Sequence, residues 1–169
     1  MSRSYKTVVF SHGKESGPWG SKIVRLSEVA RALGIEVESL DYQGLDDPRA
    51  RVAKLIAAGK GFPGPLVLVG SSLGGHVAAA AAAVLPVRGL FLLAPAFYMP
   101  GFEAHTPQAV ACPVTIVHGW RDVVVPVDNS IRWAREHHAA LHILDSDHRL
   151  QDRIEAIGRI FGDFLVALG

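Results

Sequence analysis

Short apolar segments alternate with amphipathic segments along almost the whole chain. Most of the apolar segments are nearly continuous runs of Val, Ile, Leu and Phe, a pattern typical of parallel strands that are covered on both faces. They predict strands at Thr7–Ser11, Glu36–Leu40, Leu66–Gly70, Gly89–Leu93, Val114–His118 and Leu141–Asp145.

The segments between these strands have apolar residues at helical spacing. In the first of them, Ile23, Leu26, Ala30 and Leu33 fall on one helix face. The pattern predicts helices at Lys22–Leu33, Arg49–Ala58, His76–Leu85, Asn129–His137 and Arg153–Leu168. Regular alternation of strands and helices predicts an α/β fold, a three-layer sandwich with a doubly wound, mostly or fully parallel sheet of about six strands. We expect a single domain over residues 1–169.

Composition and charge exclude several classes of function. The chain has 17 basic and 16 acidic residues, a net charge of +1, which argues against a nucleic-acid or membrane partner. Its only cysteine, Cys112, cannot form an intrachain disulfide and fits a reducing compartment. The apolar run near the N-terminus is too short for a signal-peptide core, so we expect a cytoplasmic protein. Nothing in the sequence indicates an oligomeric state.

Chemistry is expected beyond the carboxyl ends of the strands, where parallel sheets bind ligands. The third strand runs into Gly70-Ser71-Ser72-Leu73-Gly74, and an alanine-rich helical segment follows. A strand, a tight glycine turn and a helix are the context of a nucleophile elbow, in which Ser72 would stand above the sheet. The glycines would allow the close backbone approach that this turn needs. The alternative is an ordinary strand-to-helix turn in which Ser72 caps the helix.

Two further residues after strands complete a possible catalytic set. Asp122 follows the fifth strand and His148 the sixth, so the chain order is Ser72, Asp122, His148. A serine hydroxyl needs a base, an imidazole can act as one near neutral pH, and a carboxylate can orient the imidazole. Asp41, which follows the second strand, is the alternative carboxylate.

The chain resembles small, lidless bacterial esterases of the α/β-hydrolase superfamily. The resemblance rests on Ser11-His12-Gly13, the elbow, His118-Gly119-Trp120-Arg121-Asp122 with Val125-Pro126, and Asp147-His148. It implies acyl transfer to Ser72, with the backbone N–H groups of Leu73 and Lys14 as oxyanion hole. We expect no cofactor, and no metal, because no histidine–carboxylate spacing in the sequence resembles a metal site. The predicted substrate is a small acyl ester.

Loops at the same sheet edge supply the expected substrate contacts. His12 is expected to order the loop after the first strand and, with Gly13, to line the site. Trp120, Tyr98 and Met99 are further candidates, and their alternative is packing in the core. The segment 94–111 is too short for a cap domain, so we expect a small, open site for short acyl groups. The two leading strands of larger family members are expected to be absent.

Two other functions remain open. The same three residues would serve a thioesterase or an amide hydrolase, because the triad sets the reaction type and not the leaving group. A non-catalytic binding module on a hydrolase fold is the alternative from a different class.

Overall fold

The computed structural model describes residues 3–108 and 110–169, and its central feature is one six-stranded parallel sheet. The strands are β1 (Thr7–Ser11), β2 (Glu36–Leu40), β3 (Leu66–Ser71), β4 (Val87–Leu93), β5 (Val114–Gly119) and β6 (Ala140–Leu144). The helices are α1 (Ser21–Ala32), α2 (Pro48–Gly59), α3 (Leu73–Ala82), α4 (Val127–His137) and α5 (Ile154–Ala167). Short 3₁₀ turns lie at Glu103–His105 and Gln151–Arg153.

The strand order is β2-β1-β3-β4-β5-β6, and every neighbouring pair is parallel. The chain moves from β1 outward to β2, returns to β3 beside β1, and then continues in the other direction. The order therefore reverses between β1 and β3, and ligands of open α/β sheets bind at such a point. The predicted α/β sandwich with a doubly wound sheet of six strands is confirmed.

Alternate residues of the strands pack into two separate cores. On one face, Val8 and Phe10 of β1 contact the apolar sides of α1 and α5. On the other face, Val9 packs with residues of α2, α3 and α4. The central strands are buried on both sides, which explains why their sequences are apolar throughout.

The predicted bounds of α3 are wrong at its N-terminus. The helix begins at Leu73 rather than His76, so Gly74 and Gly75 form its first turn. Helical glycines are normally unfavourable, but here close packing requires them. A Cβ on Gly75 would lie 2.9 Å from the Cβ of Pro95, inside van der Waals contact.

The connection from β4 to β5 is short, and its one regular element among the residues described is the 3₁₀ turn Glu103–His105. This length agrees with the expectation that the segment holds no cap domain. None of the helices in residues 3–108 and 110–169 has both the length and the apolar character that crossing a bilayer requires.

Candidate active site

Ser72 occupies a strained backbone position between β3 and α3. Its φ is 55° and its ψ is −118°, a region that residues with a Cβ rarely adopt and that costs about 1–3 kcal/mol. Ser72 is the N-cap residue of α3, yet its side chain makes no capping hydrogen bond. The alternative interpretation, in which the Ser72 hydroxyl caps the helix, is therefore wrong.

Two glycines allow this sharp turn, as the sequence predicted. A Cβ on Gly70 would overlap the backbone carbonyl of Gly74, and a Cβ on Gly74 would overlap that of Ser11. Backbone atoms cannot move aside as the end of a flexible side chain can. The close approach of β1, β3 and α3 thus depends on the absence of side chains at both positions.

The structure brings Ser72, His148 and Asp122 together at the carboxyl ends of β3, β6 and β5. The Nε2 atom of His148 lies 3.1 Å from Ser72 Oγ, and its Nδ1 lies 2.6 Å from Asp122 Oδ2. The His148 side chain is 22% exposed and that of Asp122 is fully buried. A hydroxyl, an imidazole and a carboxylate are therefore in a continuous chain of hydrogen bonds that reaches solvent at the serine end.

The Asp122 carboxylate accepts hydrogen bonds on both oxygens. Its Oδ1 accepts from the backbone N–H groups of Val124 and Val125, each at 2.8 Å. Burial raises the pKa of Asp122, but the hydrogen bonds from His148 and from these two amides outweigh it, so that the pKa lies below its ordinary value. Asp122 is thus an ionised hydrogen-bond acceptor for His148 at neutral pH.

A second imidazole, that of His118, contacts the same carboxylate. Its Nε2 lies 3.0 Å from Asp122 Oδ2 and 2.9 Å from the carbonyl oxygen of Val125. Both partners only accept hydrogen bonds, so Nε2 carries the proton. Burial lowers the pKa of His118 and keeps the ring neutral, so the Ser130 hydroxyl donates to Nδ1, 2.7 Å away. The sequence predicts His118 only as the end of a strand, and the one signal of this contact is its position four residues before Asp122.

The loop after β1 lies directly beside Ser72. An ideal Cβ on Gly13 would be 3.5 Å from the Cβ of Ser72. The backbone N–H groups of Lys14 and of Leu73 have no hydrogen-bond partner among residues 3–108 and 110–169. Two backbone donors, one directly after Ser72 in the chain and one in the loop beside it, are therefore available to a ligand.

His12 orders this loop, and its ring nitrogens are both occupied. Nδ1 donates to the carbonyl oxygen of Gly13 at 2.7 Å, and Nε2 accepts from the backbone N–H of Tyr42 at 2.8 Å. Burial lowers the pKa of His12, so the neutral ring is favoured. The buried Arg51 guanidinium also reaches the Gly13 oxygen, at 3.3 Å. His12 forms part of the cleft wall, and both of its ring nitrogens are already hydrogen-bonded within the protein.

The cleft beside Ser72 and His148 has a volume of about 430 Å³. Its walls come from the loop after β1, the first turn of α1, the end of β3 and the segment before α5. The lining residues are His12, Gly13, Lys14, Glu15, Ser16, Gly17, Gly20, Ser21, Lys22, Ile23, Ser71, Ser72, His148, Arg149 and Gln151. The sequence did not point to Lys22 or Arg149, because the orientation of a residue in a helix start or a loop is set by packing and not by periodicity.

Three of the expected substrate contacts lie outside this cleft. Tyr98 donates its hydroxyl proton to Glu136 at 2.7 Å, and its ring lies under the Arg132 guanidinium, 3.9 Å from the ring centre. Trp120 is 58% exposed, and neither it nor Met99 is among the lining residues. They lie in loops at the carboxyl edge of the sheet, but none of the three lines the cleft beside Ser72.

The alternative carboxylate, Asp41, does not approach His148. Its Oδ1 lies 3.7 Å from Nε2 of His12, on the β2 side of the loop. No three side chains of the His, Cys, Asp and Glu types form a possible metal site in the part of the chain that the structure describes.

Comparison with known proteins agrees with this architecture. A family model described as an alpha/beta hydrolase domain matches residues 43–158. A crystal structure of a proposed hydrolase of the alpha/beta superfamily from Xanthomonas campestris pv. campestris is 35% identical, with a TM-score of 0.90, and the alignment covers 96% of this chain and 99% of that one. The chain belongs to the α/β-hydrolase family. No curated protein matches this sequence.

More distant α/β-hydrolase structures share the fold alone. Alpha/beta hydrolase domain-containing protein 10 from mouse is 21% identical, with a TM-score of 0.81, and the match covers 100% of this chain and 93% of that one. Est1E from Butyrivibrio proteoclasticus is 16% identical, with a TM-score of 0.83, over 99% and 89% of the two chains. Membership of the α/β-hydrolase family supports hydrolase activity for this chain.

Proposed function

We propose that this α/β-hydrolase is a serine hydrolase that cleaves small acyl esters through Ser72, His148 and Asp122. The observation that carries the proposal is the 3.1 Å separation of Ser72 Oγ from His148 Nε2, in an imidazole whose other nitrogen faces a buried carboxylate. In this arrangement the carboxylate holds the Nδ1–H tautomer, so that Nε2 is free to accept the serine proton.

In the first half of the reaction, Ser72 Oγ forms a bond to the carbonyl carbon of the ester while His148 Nε2 takes its proton. The carbonyl oxygen becomes an oxyanion and accepts hydrogen bonds from the Leu73 and Lys14 N–H groups. Loss of one such donor typically costs a factor of about 10²–10³ in rate. The bond to the leaving oxygen then breaks, and the alcohol departs with the proton from His148.

The second half returns the enzyme to its starting state. A water molecule gives a proton to His148 and attacks the acyl carbon, and a second oxyanion forms in the same site. Collapse of this intermediate releases the carboxylic acid, and Ser72 Oγ recovers the proton from His148. No cofactor takes part in either half.

Covalent labelling with a fluorophosphonate tests this proposal. We expect the wild-type protein to gain one adduct by intact mass, at Ser72, and Ser72→Ala to gain none. Ser4→Ala, which changes an exposed serine outside the cleft, is the control and should label as the wild type does. A folded wild type that stays unlabelled, or labelling that survives in Ser72→Ala, would contradict the proposal.

The size of the cleft supports short acyl groups. At about 430 Å³, with a short β4–β5 connection, the site offers little enclosed apolar surface for a long chain. A series of p-nitrophenyl esters from acetate to palmitate should give kcat/KM values that fall with chain length. Faster turnover of the long-chain esters would show that another surface binds the acyl group.

A further inference from the structure

The charged side chains that line the cleft are mostly cationic. Lys14, Lys22 and Arg149 contribute three positive charges, and Glu15 contributes one negative charge. The whole chain carries a net charge of only +1, so the cleft is more basic than the molecule. An excess of one sign of charge in a concave site raises the local concentration of ligands of the opposite sign.

These three cations are not in ion pairs in the part of the chain that the structure describes. No carboxylate lies within ion-pair distance of Lys14, Lys22 or Arg149 among residues 3–108 and 110–169. Some arginines elsewhere do form ion pairs, such as Arg25 with Glu155 at 3.0 Å and Arg121 with Asp145 at 2.7 Å. The positive charge of the cleft is therefore available to a ligand.

Lys22 differs from the other two cations because it is partly buried. It lies in the first turn of α1 and lines the same cleft as Ser72 and His148. Burial lowers the pKa of Lys22 to about 8, an effect that the carboxylates of Asp122 and Asp147 partly offset. Lys22 is thus partly shielded from water and has no ion pair among the residues described, so an anion bound there would interact with it more strongly than in open solvent.

We propose that the substrate carries an anionic group, a carboxylate or a phosphate, which the Lys22 ammonium binds while Ser72 attacks the acyl carbon. This inference rests on the proposed ester hydrolysis and adds a substrate class to it. Lys22 would act by selecting the substrate and not by taking part in proton transfer. Lys14 and Arg149 would attract the anion to the cleft.

Matched esters that differ in one charge test this proposal. Anionic monomethyl glutarate and neutral methyl glutaramate differ in a charge on the acyl side. Anionic meta-acetoxybenzoate and neutral meta-acetoxybenzamide differ in a charge on the leaving group. Meta-acetoxyphenyl phosphate distinguishes a phosphate from a carboxylate. We expect kcat/KM for the anionic member of at least one pair to exceed that of its neutral partner by about tenfold or more.

Substitution of Lys22 should remove this preference. In Lys22→Met the ratio of the two kcat/KM values should fall about tenfold, and Lys22→Arg should retain most of it. Lys60→Met, which removes an exposed lysine outside the cleft, should leave the ratio unchanged. Equal changes for both members of a pair in Lys22→Met would overturn the proposal, because an effect on the triad or on folding does not distinguish the two esters.

Calorimetric titration with glutarate provides a readout that needs no turnover. Glutarate should bind the wild type about tenfold more tightly than Lys22→Met, and equal affinities would also overturn the inference. If no ester is hydrolysed and Ser72 is not labelled, the proposed function fails, whatever the titration gives. If Ser72 is labelled and neutral esters react as well as anionic ones, only the anionic substrate class is wrong.

Discussion

His118 Nε2 lies 3.0 Å from Asp122 Oδ2, so an imidazole that solvent cannot reach holds the buried carboxylate from inside the protein. The ring is fixed at its other nitrogen by the Ser130 hydroxyl of α4. His118 does not contact the cleft, and its effect on the reaction passes through Asp122. It is a positioning residue for the proposed triad.

Replacement of His118 should reduce both stability and turnover. His118→Phe removes a donor to Asp122 and leaves the Ser130 hydroxyl without its acceptor, and each unsatisfied buried group costs about 1–3 kcal/mol. We expect urea denaturation to show this loss, and kcat to fall about tenfold with KM little changed. His118→Gln, which keeps an N–H donor, should recover part of kcat. His142→Gln, at an exposed position of β6, is the control, and equal kcat values in the two His118 variants would contradict the positioning role.

Asp122→Asn should leave the fold in place and remove most of the activity. The amide can donate to His148 Nδ1 and so favour the tautomer that carries its proton on Nε2, where the serine proton must go. A loss of kcat of about 10⁴ is the typical result of such a change in a Ser-His-Asp triad. Asp41→Asn is the matched control, because its carboxylate lies near His12 and not near His148. If Asp122→Asn retained more than a tenth of the wild-type rate, another group would have to orient His148.

Ser72→Gly should be more stable than Ser72→Ala, although both lack the nucleophile. Alanine keeps the Cβ that makes φ = 55° unfavourable, and glycine adopts this region freely. The relief of strain is partly offset by the greater freedom of glycine in the unfolded chain, so we expect a difference of about 1 kcal/mol. Thermal and urea unfolding of the two inactive variants measure it. A less stable glycine variant would mean that the turn is not strained.

Gly74→Ala should destabilise the protein severely, by about 4 kcal/mol or more. The added methyl group would overlap the backbone carbonyls of Ser11 and His12, which cannot move without disrupting β1. Gly158→Ala in α5 is the matched control, since its methyl group would meet Val29 at an ordinary 3.6 Å. There the better helix propensity of alanine should stabilise the protein by about 0.5–1 kcal/mol. Circular dichroism during urea unfolding compares the two, and equal stabilities would contradict the proposed close packing at Gly74.

The preference for anionic esters should weaken at alkaline pH. The pKa of Lys22 in the folded protein is lowered from 10.5 to about 8, so its positive charge is present at neutral pH and is lost as the pH rises through about 8. Asp122 and Asp147 raise this pKa and Arg149 lowers it. The ratio of kcat/KM for monomethyl glutarate and methyl glutaramate should be constant between about pH 6 and 7, where the ester's own carboxyl group is ionised, and fall at higher pH. A pH effect common to both esters cancels in the ratio, and a ratio that stayed flat to high pH would contradict the assignment to Lys22.

Much of the fold follows from the sequence for a simple physical reason. A strand covered by helices on both faces needs apolar residues at every position, so β1 and β3 are visible as continuous runs. The alternation of elements then puts Ser72, Asp122 and His148 at one edge of the sheet. The predicted start of α3 is wrong because glycine normally disfavours a helix. Glycine is needed at positions 74 and 75 for close packing against β1 and Pro95, which are distant in sequence.

The residues around the three central groups were harder to predict. Tyr98 lies in a loop, and its direction is set by Glu136 and Arg132 of α4, which periodicity within the loop does not report. In the sequence, nothing distinguishes Lys22 from other polar residues at the start of a helix. It lines the cleft because α1 lies beside the loop after β1. The sequence thus predicts that Ser72, Asp122 and His148 lie at one sheet edge, whereas the side chains that line the cleft depend on tertiary packing.

The contacts to the Gly13 carbonyl have a consequence for the amide that follows it. His12 and Arg51 bind this oxygen at 2.7 and 3.3 Å, and Arg51 does not line the cleft. In a planar trans peptide the C=O and the next N–H point in opposite directions, so the Lys14 N–H is turned away from both of them. The proposed oxyanion donor is therefore preorganised before any substrate arrives, and substitutions in α2 at Arg51 would change the reaction rate from behind the active site.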